Sequence, residues 1–210
     1  MKFFNRFSPR LHSTVVNNQL LGSFPTASLV GHHLQQCLHQ KILILNTITC
    51  TDYTKKHASF FRGSTVGGHM RHSLDHISKV MFSLKNGCEH EPNIISYDQR
   101  DRNTEIENNR SKTIECVDKI IHDLALTLQR NPEKIMKPIV VKFISDADTG
   151  TEYDIPSSIE RELSFAAHHA THHIFIMSMM LETMGYKIDS SIGVANSTLK
   201  FSKQVDSCTI

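Results

Sequence analysis

The sequence predicts an all-α protein, a four-helix bundle with a small β-hairpin inserted before the fourth helix. In three segments, apolar residues recur at the three- and four-residue spacing of a helix that buries one face. A fourth segment, Leu163–Leu181, is uncharged over most of its length and leans apolar. One short β-branched run precedes it and is bounded by proline and by a turn-forming sequence. The 210 residues are enough for one substantial core.

The first two helices are defined by their apolar lines and by the residues at their ends. The first is expected from about Leu29 to about Thr51, with an apolar line of Leu34, Leu38, Ile42, Leu45 and Ile48. The second follows a cap within Gly63–Thr65 and runs to about Leu84, where Asn86 and Gly87 end it. Its apolar line contains Val66, Met70, Leu74, Ile77, Met81 and Leu84.

The third helix runs to about Gln129, with an apolar line of Ile106, Ile114, Val117, Ile121, Leu124 and Leu128. The run Ile139–Ile144 predicts one strand of a hairpin that returns through Tyr153. Half a capping box, Ser158 followed by Arg161, opens the fourth helix, and Gly185 ends it. The turn-rich run Gly193–Phe201 is expected to pack back on the helices.

Composition narrows the function classes and the compartment. The net charge is only +2 and the basic residues are scattered, so nucleic-acid binding is not expected. Four histidines interrupt Leu163–Leu181, which indicates a buried helix rather than a membrane span. The five cysteines are odd in number and form no Cys-x-x-Cys, which favours a reducing, intracellular compartment over a disulfide framework. The acid-free, basic N-terminus suits a mitochondrial transit peptide or a loosely packed extension, so the compartment is cytoplasmic or mitochondrial.

Two histidine clusters are the candidate metal-binding residues of this chain. In the fourth helix, His169 and His173 form a His-x-x-x-His pair about one turn apart on the apolar face. His168 and His172 lie roughly 100° to the side. A buried pair of imidazoles needs a partner, and a metal ion supplies one.

The second helix offers three histidines along one side, His69, His72 and His76. Periodicity places His69 and His76 nearer the apolar line than His72, and it does not choose among the three. Three imidazoles leave at least one coordination position open, as in catalytic sites. The alternative is that backbone carbonyls satisfy these histidines in a bundle that holds no metal.

Four motifs, in this order, resemble the DinB-like (YfiT-like) metal-binding helical-bundle superfamily. They are Ser64-Thr-Val-Gly-Gly-His-Met-Arg-His-Ser-Leu-Asp-His76, Tyr97-Asp-Gln-Arg-Asp-Arg102 with Glu107, Arg161-Glu-Leu163 with His168-His-Ala-Thr-His-His173, and Gly193-Val-Ala-Asn-Ser-Thr198. The match covers about residues 29–201, which leaves 1–28 as an N-terminal extension and 202–210 as a tail. Members of this branch tend to have proline where this chain has Asn196.

The resemblance implies an up-down-down-up bundle that binds a divalent zinc, nickel or iron ion through His72, His169 and His173. Independently of the resemblance, Arg71 and Asp75 form an i, i+4 pair that flanks His72, and they and His76 are expected to be neighbours that orient the ligands. Characterised relatives are thiol-dependent transferases and isomerases, or metal-binding parts of sulfur-histidine enzymes. The expected function is therefore a metal-dependent transferase or hydrolase acting on a thiol or small molecule. The rival is a non-catalytic metal-binding or structural bundle, and in either case exposed apolar helix faces suit a homodimer.

Other polar residues are expected to have structural roles. Most of the charged residues around the proposed site are expected to form salt bridges between helix ends. These residues are Arg71, Asp75, Arg100, Arg102, Glu107, Arg110, Arg161 and Glu162. Tyr53 and Tyr97 are expected to pack between helices, although a hydroxyl at the site is the alternative.

Overall fold

The structure is a computed structural model, and it describes residues 25–57, 62–86, 93–99 and 104–207. The fold is mostly helical, with a small three-stranded sheet. The longer helices are α1 Pro25–Thr47, α3 Val66–Asn86, α5 Arg110–Arg130, α6 Ile159–Thr183 and α7 Asn196–Ser207. The shorter ones are α2 Cys50–Tyr53, α4 Glu105–Asn108 and a 3-10 helix, Pro132–Met136. The strands are β1 Asn93–Ser96, β2 Pro138–Ile144 and β3 Glu152–Ser158.

Four of the helices share one apolar core. Helix α3 packs against α6, α6 against α1, α1 against α5, and α5 against α3. Fully buried side chains from each of the four meet there, among them Leu38, Leu74, Leu124 and Ile174. Because α3 and α6 lie side by side, their two histidine clusters come together.

The predicted hairpin is present, and a third strand extends it. Strand β2 pairs antiparallel with β3, in a register that places Phe143 opposite Tyr153. On its other side β2 pairs parallel with β1, with Ile95 opposite Val141. The sequence did not predict β1, because a four-residue strand within a polar connection is too short to show a period of two. Burial of Ile95 against the core explains why it forms.

Several element boundaries differ from the predictions. Helix α1 begins at Pro25, within the predicted extension, and ends at Thr47 because Thr49 caps a separate short helix by accepting a hydrogen bond from the Asp52 amide. The run Gly193–Phe201 does not stay a turn region, since α7 begins at Asn196 and extends through most of the predicted tail. In contrast, the cap that opens α6 is confirmed, because Ser158 Oγ accepts from the Arg161 amide at 3.2 Å.

Some predicted features lie outside the described residues. They are residues 1–24 of the extension, Gly87, Cys88, Arg100, Arg102 and Cys208. The three cysteines that the structure describes, Cys37, Cys50 and Cys116, are free thiols. Within the described ranges, no helix combines the length and the apolar character needed to cross a bilayer.

Candidate metal centre

Helices α3 and α6 bring six histidine rings to one place. Helix α3 begins just before its first histidine. A turn at Gly63 precedes the helix. Thr65 caps it, because the Thr65 hydroxyl accepts a hydrogen bond from the Gly68 amide at 2.8 Å. Successive histidines on α3 then lie along the side that faces α6. The contributing residues are His69, His72 and His76 from α3 and His169, His172 and His173 from α6.

Three of these rings form a group with metal-ligand spacing. His72, His76 and His169 each offer one ring nitrogen, and the three nitrogens lie within 4.8 Å of one another. His72 Nε2 and His169 Nε2 are 3.2 Å apart, and the His76 and His169 ring centroids are 4.1 Å apart. His76 is buried and the other two are half-buried. These three imidazoles could hold a metal ion.

His173 lies beside this group and pairs with a different partner. Its Nδ1 is 3.0 Å from His69 Nδ1, while its ring centroid is 4.8 Å from that of His72 and 4.6 Å from that of His169. Burial, followed by the positive charges that His169, His72, His69 and Lys41 would carry, lowers the pKa of His173 to about 2. Its ring is therefore neutral near pH 7, which is the form that binds metals.

The other two histidines of α6 lie outside the group of three. His168 and His172 are exposed, as the sequence predicted for residues to the side of the apolar face. His168 contacts His33 of α1 instead, with ring centroids 5.3 Å apart. His172 remains at the edge of the cluster, 5.3 Å from the His173 ring.

Two aromatic rings pack against histidines of this group. The ring of Tyr97 stacks on His76 with centroids 4.6 Å apart and planes at 15°, and Phe165 stacks on His169 at 5.9 Å. Tyr97 is almost fully buried, so it does pack between elements as predicted, but it does so against a histidine of the site. Burial, together with a hydrogen bond to a carboxylate, raises the pKa of its phenol.

That carboxylate belongs to Glu162, which is fully buried at the start of α6. Its Oε2 accepts from the Tyr97 hydroxyl at 2.7 Å, and its Oε1 accepts from Ser157 Oγ and from the Arg161 guanidinium, both at 2.6 Å. A buried charge needs this kind of complete hydrogen bonding. Glu162 thus connects strand β3, helix α6 and the tyrosine that stacks on His76.

Arg71 forms a second set of polar contacts, between α3 and α4. Its guanidinium donates to Asp75 at 2.7 Å and to Glu107 at 2.9 Å, and all three side chains are partly buried. The expected salt bridge between elements is therefore present for these residues. Arg110 differs, because it donates to the backbone carbonyls of Leu45 and Ile48 rather than to an acid.

Lys41 is a buried amine that the sequence analysis did not single out. It is fully buried on α1, donates to Ser73 Oγ, and has Met70 Sδ at 3.9 Å. Burial lowers its pKa to about 7. The amine is close enough for its positive charge to lower the pKa of His69 and of His173.

The predicted ligands divide between the two parts of the cluster. His72 and His169 belong to the group of three, whereas His173 pairs with His69. The third member, His76, was expected as a neighbour of the ligands and instead places a ring nitrogen among them. The apolar periodicity of α3 had placed His76 near the buried face, so the sequence did indicate that this ring points toward the core.

A groove of about 580 Å³ lies near the cluster, between α3 and the sheet. Asp75, Lys79 and Phe82 of α3 line one side, and Ile94 of β1 and Lys142 of β2 are among the residues on the other. None of the six histidines lines it. Asp75 belongs to both the groove and the Arg71 ion pair, so it connects the two regions.

Comparison with known proteins finds similarity over about half of this chain. The chain is 32% identical over 112 residues to FK506-binding protein 5 of Rhizopus delemar, and the match covers 53% of this chain. The same match spans 28% of the relative, so the chain corresponds to little more than a quarter of that protein. No model of a protein family matches the chain, and no solved structure matches it.

Proposed function

We propose that this chain binds a divalent metal ion through His72, His76 and His169 and uses it on a small-molecule or thiol substrate. The observation that carries the proposal is the convergence of three ring nitrogens, from two helices, within 4.8 Å of one another. Sites in helical bundles are commonly built in this way, from side chains on facing helices.

The residues present fit a transition-metal ion. Imidazole nitrogen suits zinc, nickel and iron, and the described group contains no thiolate that would favour a closed structural site. Three protein ligands leave at least one position for an exogenous ligand. A bound ion would act as a Lewis acid and would lower the pKa of a coordinated water or thiol.

The surrounding residues have identifiable roles around such an ion. The Tyr97 ring fixes the plane of the His76 ring, and Glu162 fixes Tyr97. His72 and His169 are half-buried, so solvent or a small ligand can approach from their side. Exposed His172 lies at the edge of the cluster, beside the His173 ring.

The reaction class that this arrangement supports best is group transfer or hydrolysis. The DinB-like resemblance supports a four-helix bundle of the up-down-down-up kind and a thiol as the activated group. The relative's name says that it binds FK506, but the chain covers too little of that protein to extend this activity here.

A second candidate is a metal-binding protein without turnover. The observation that favours it is the groove beside α3, which is lined by none of the histidines and so offers no cavity above the ion. A ligand in that groove would contact Asp75 and Lys79 rather than the open coordination position.

Metal content and activity together test the proposal. Purified protein and a His72→Ala, His76→Ala, His169→Ala variant would be loaded with zinc, desalted and analysed for metal. We expect near-stoichiometric zinc in the parent and at least one ion fewer per chain in the variant. Thiol transfer or ester hydrolysis that depends on the metal would support the enzyme. A metal-loaded protein inactive on a broad thiol and ester panel would favour the second candidate, and absence of metal from the parent would contradict both.

A further inference from the structure

We propose that His69 is a positioning residue of the metal centre, which holds the ring of His173 so that His173 Nε2 faces the ion. The inference rests on the proposed function, because it requires an ion at the three histidines proposed above. It adds an outer hydrogen-bond chain to that site, from His173 through His69 to Ser64, which fixes the tautomer of one ring.

The chain consists of two short contacts that lead away from the cluster. His173 Nδ1 lies 3.0 Å from His69 Nδ1, and His69 Nε2 lies 3.0 Å from Ser64 Oγ. Each distance is that of a hydrogen bond. His173 is buried, whereas His69 and Ser64 are half-buried, so the chain leads from a buried ring toward the surface.

The surroundings of the two rings fit one shared N–H and no ion between them. Among the described residues, no carboxylate forms an ion pair with either ring. The fully buried amine of Lys41 is close enough to act electrostatically on both rings. A further positive charge between the rings is therefore disfavoured. The contact between His69 and His173 is thus an orienting hydrogen bond, and the ion lies on the other side of His173.

A bound ion would fix the direction of both hydrogen bonds. An imidazole binds a metal through the nitrogen that carries a lone pair. With Nε2 of His173 toward the ion, its Nδ1–H donates to His69 Nδ1, and the His69 Nε2–H donates to Ser64 Oγ. The Ser64 hydroxyl can accept or donate, so it completes the chain in this direction. Metal-binding histidines usually have an outer partner of this kind, which fixes their tautomer and ring orientation.

His173 is placed to join the ligands from this position. Its ring centroid is 4.8 Å from that of His72 and 4.6 Å from that of His169. Because His173 is not part of the group of three with ligand spacing, its Nε2 has to move closer when the ion binds. A small rotation of the ring about the hydrogen bond to His69 would supply this movement. Four imidazoles still leave an open position on an ion that takes five ligands, as zinc can by expansion.

The zinc affinity of two His69 variants tests the positioning role. His69→Leu removes the hydrogen-bond acceptor for His173, whereas His69→Asn retains an amide oxygen near the place of Nδ1. Competition with a chromophoric chelator measures the zinc dissociation constant. We expect it to rise about 10- to 100-fold in the leucine variant and less than about threefold in the asparagine variant. His168→Leu is the matched control, because His168 is exposed on α6 and contacts His33, and it should leave the affinity unchanged.

The tautomer of His173 provides a second test, which needs no variant. Long-range proton–nitrogen NMR spectra of the zinc-loaded parent show which ring nitrogen carries the proton. We expect His173 to carry its proton on Nδ1 and to bind zinc through Nε2. A proton on Nε2 of His173 in the zinc-loaded protein would overturn the positioning role.

The outcomes distinguish this inference from the proposed function. Zinc bound by His69→Leu as tightly as by the parent would overturn the positioning role and keep the proposed function. Equal weakening by the leucine and asparagine changes would also overturn it, because the loss would then not follow the hydrogen bond. Absence of zinc from the parent would overturn both proposals. If His69→Leu does not fold, the NMR spectrum of the parent gives the decision.

Discussion

The ring of Tyr97 lies flat against the ring of His76, with centroids 4.6 Å apart and planes at 15°. The tyrosine is itself held by the buried carboxylate of Glu162, so the orientation of His76 depends on a chain of two contacts. This relationship explains how His76 comes to share a site with His72 and His169.

The hydrogen bond between Tyr97 and Glu162 is expected to stabilise the fold. Tyr97→Phe keeps the stacked ring but removes one donor from a fully buried carboxylate, which costs about 1–3 kcal/mol of unfolding free energy. Urea unfolding measures the change. Tyr153→Phe is the matched control, because Tyr153 is exposed and should change stability by no more than about 0.5 kcal/mol. Equal effects at the two positions would contradict a role for the Glu162 contact.

The stacked ring should matter for metal affinity as well. Tyr97→Leu removes the ring that orients His76, whereas Tyr97→Phe retains it. We expect zinc affinity to fall about tenfold or more in the leucine variant relative to the phenylalanine variant. Competition with a chromophoric chelator measures both dissociation constants, and equal values would show that the stack does not position His76.

Lys41 should make stability depend on pH above neutrality. Its pKa is about 7 in the folded protein, against an ordinary lysine value of 10.5, so between these values the unfolded chain binds a proton that the folded chain does not. Because of this residue, the free energy of unfolding therefore rises with pH from about 7 to 10, and it is lowest below pH 7. Lys41→Met is expected to be more stable than the parent at pH 6, with the advantage shrinking by pH 9.5.

Urea unfolding of the metal-free protein at pH 6, 8 and 9.5 measures this effect. Lys200→Met serves as the control, since Lys200 is exposed on α7 and lies outside the core. A difference between parent and Lys41→Met that stays constant across these pH values would show that the buried amine is not the titrating group.

Gly193 is expected to be required for the packing of the segment after α6. A Cβ atom there would lie 2.4 Å from the Phe175 amide nitrogen, and its φ is +76°. Gly193→Ala combines a backbone clash with the cost of positive φ, which is about 1–2 kcal/mol. Gly150→Ala shares the positive φ but meets nothing within 4 Å. Thermal unfolding should therefore show a clearly larger loss for Gly193→Ala, and equal losses would contradict the close approach.

Much of the helical pattern could be predicted from the sequence, because apolar periodicity is a local signal. The cap at Ser158 and the stop at Gly185 are confirmed for the same reason. In helix α1 the apolar pattern assigned one residue wrongly to the buried face. Ile42 was assigned to its apolar line, but that residue is only partly buried, and Lys41 takes the core position between Leu38 and Leu45. A search for apolar residues at helical spacing does not select a lysine, even when its position fits the buried face of the helix.

The histidine clusters could also be located from the sequence, but their pairing could not. Whether His169 or His173 meets His76 depends on how α3 and α6 are rotated about their axes and on ring orientation. Those are set by long-range contacts such as the stack of Tyr97 on His76, which joins the segment after β1 and helix α3 to the start of α6 through Glu162. Strand β1 itself is too short to show a period of two, and the strand that pairs with it lies over 40 residues away along the chain, so no local pattern predicted it.

Anomalous diffraction from zinc-loaded crystals, measured on both sides of the zinc absorption edge, tests the central claim most directly. The account expects an anomalous peak about 2.0–2.1 Å from one ring nitrogen each of His72, His76 and His169. Absence of zinc at these three rings, with any peak bound elsewhere on the chain, would contradict it.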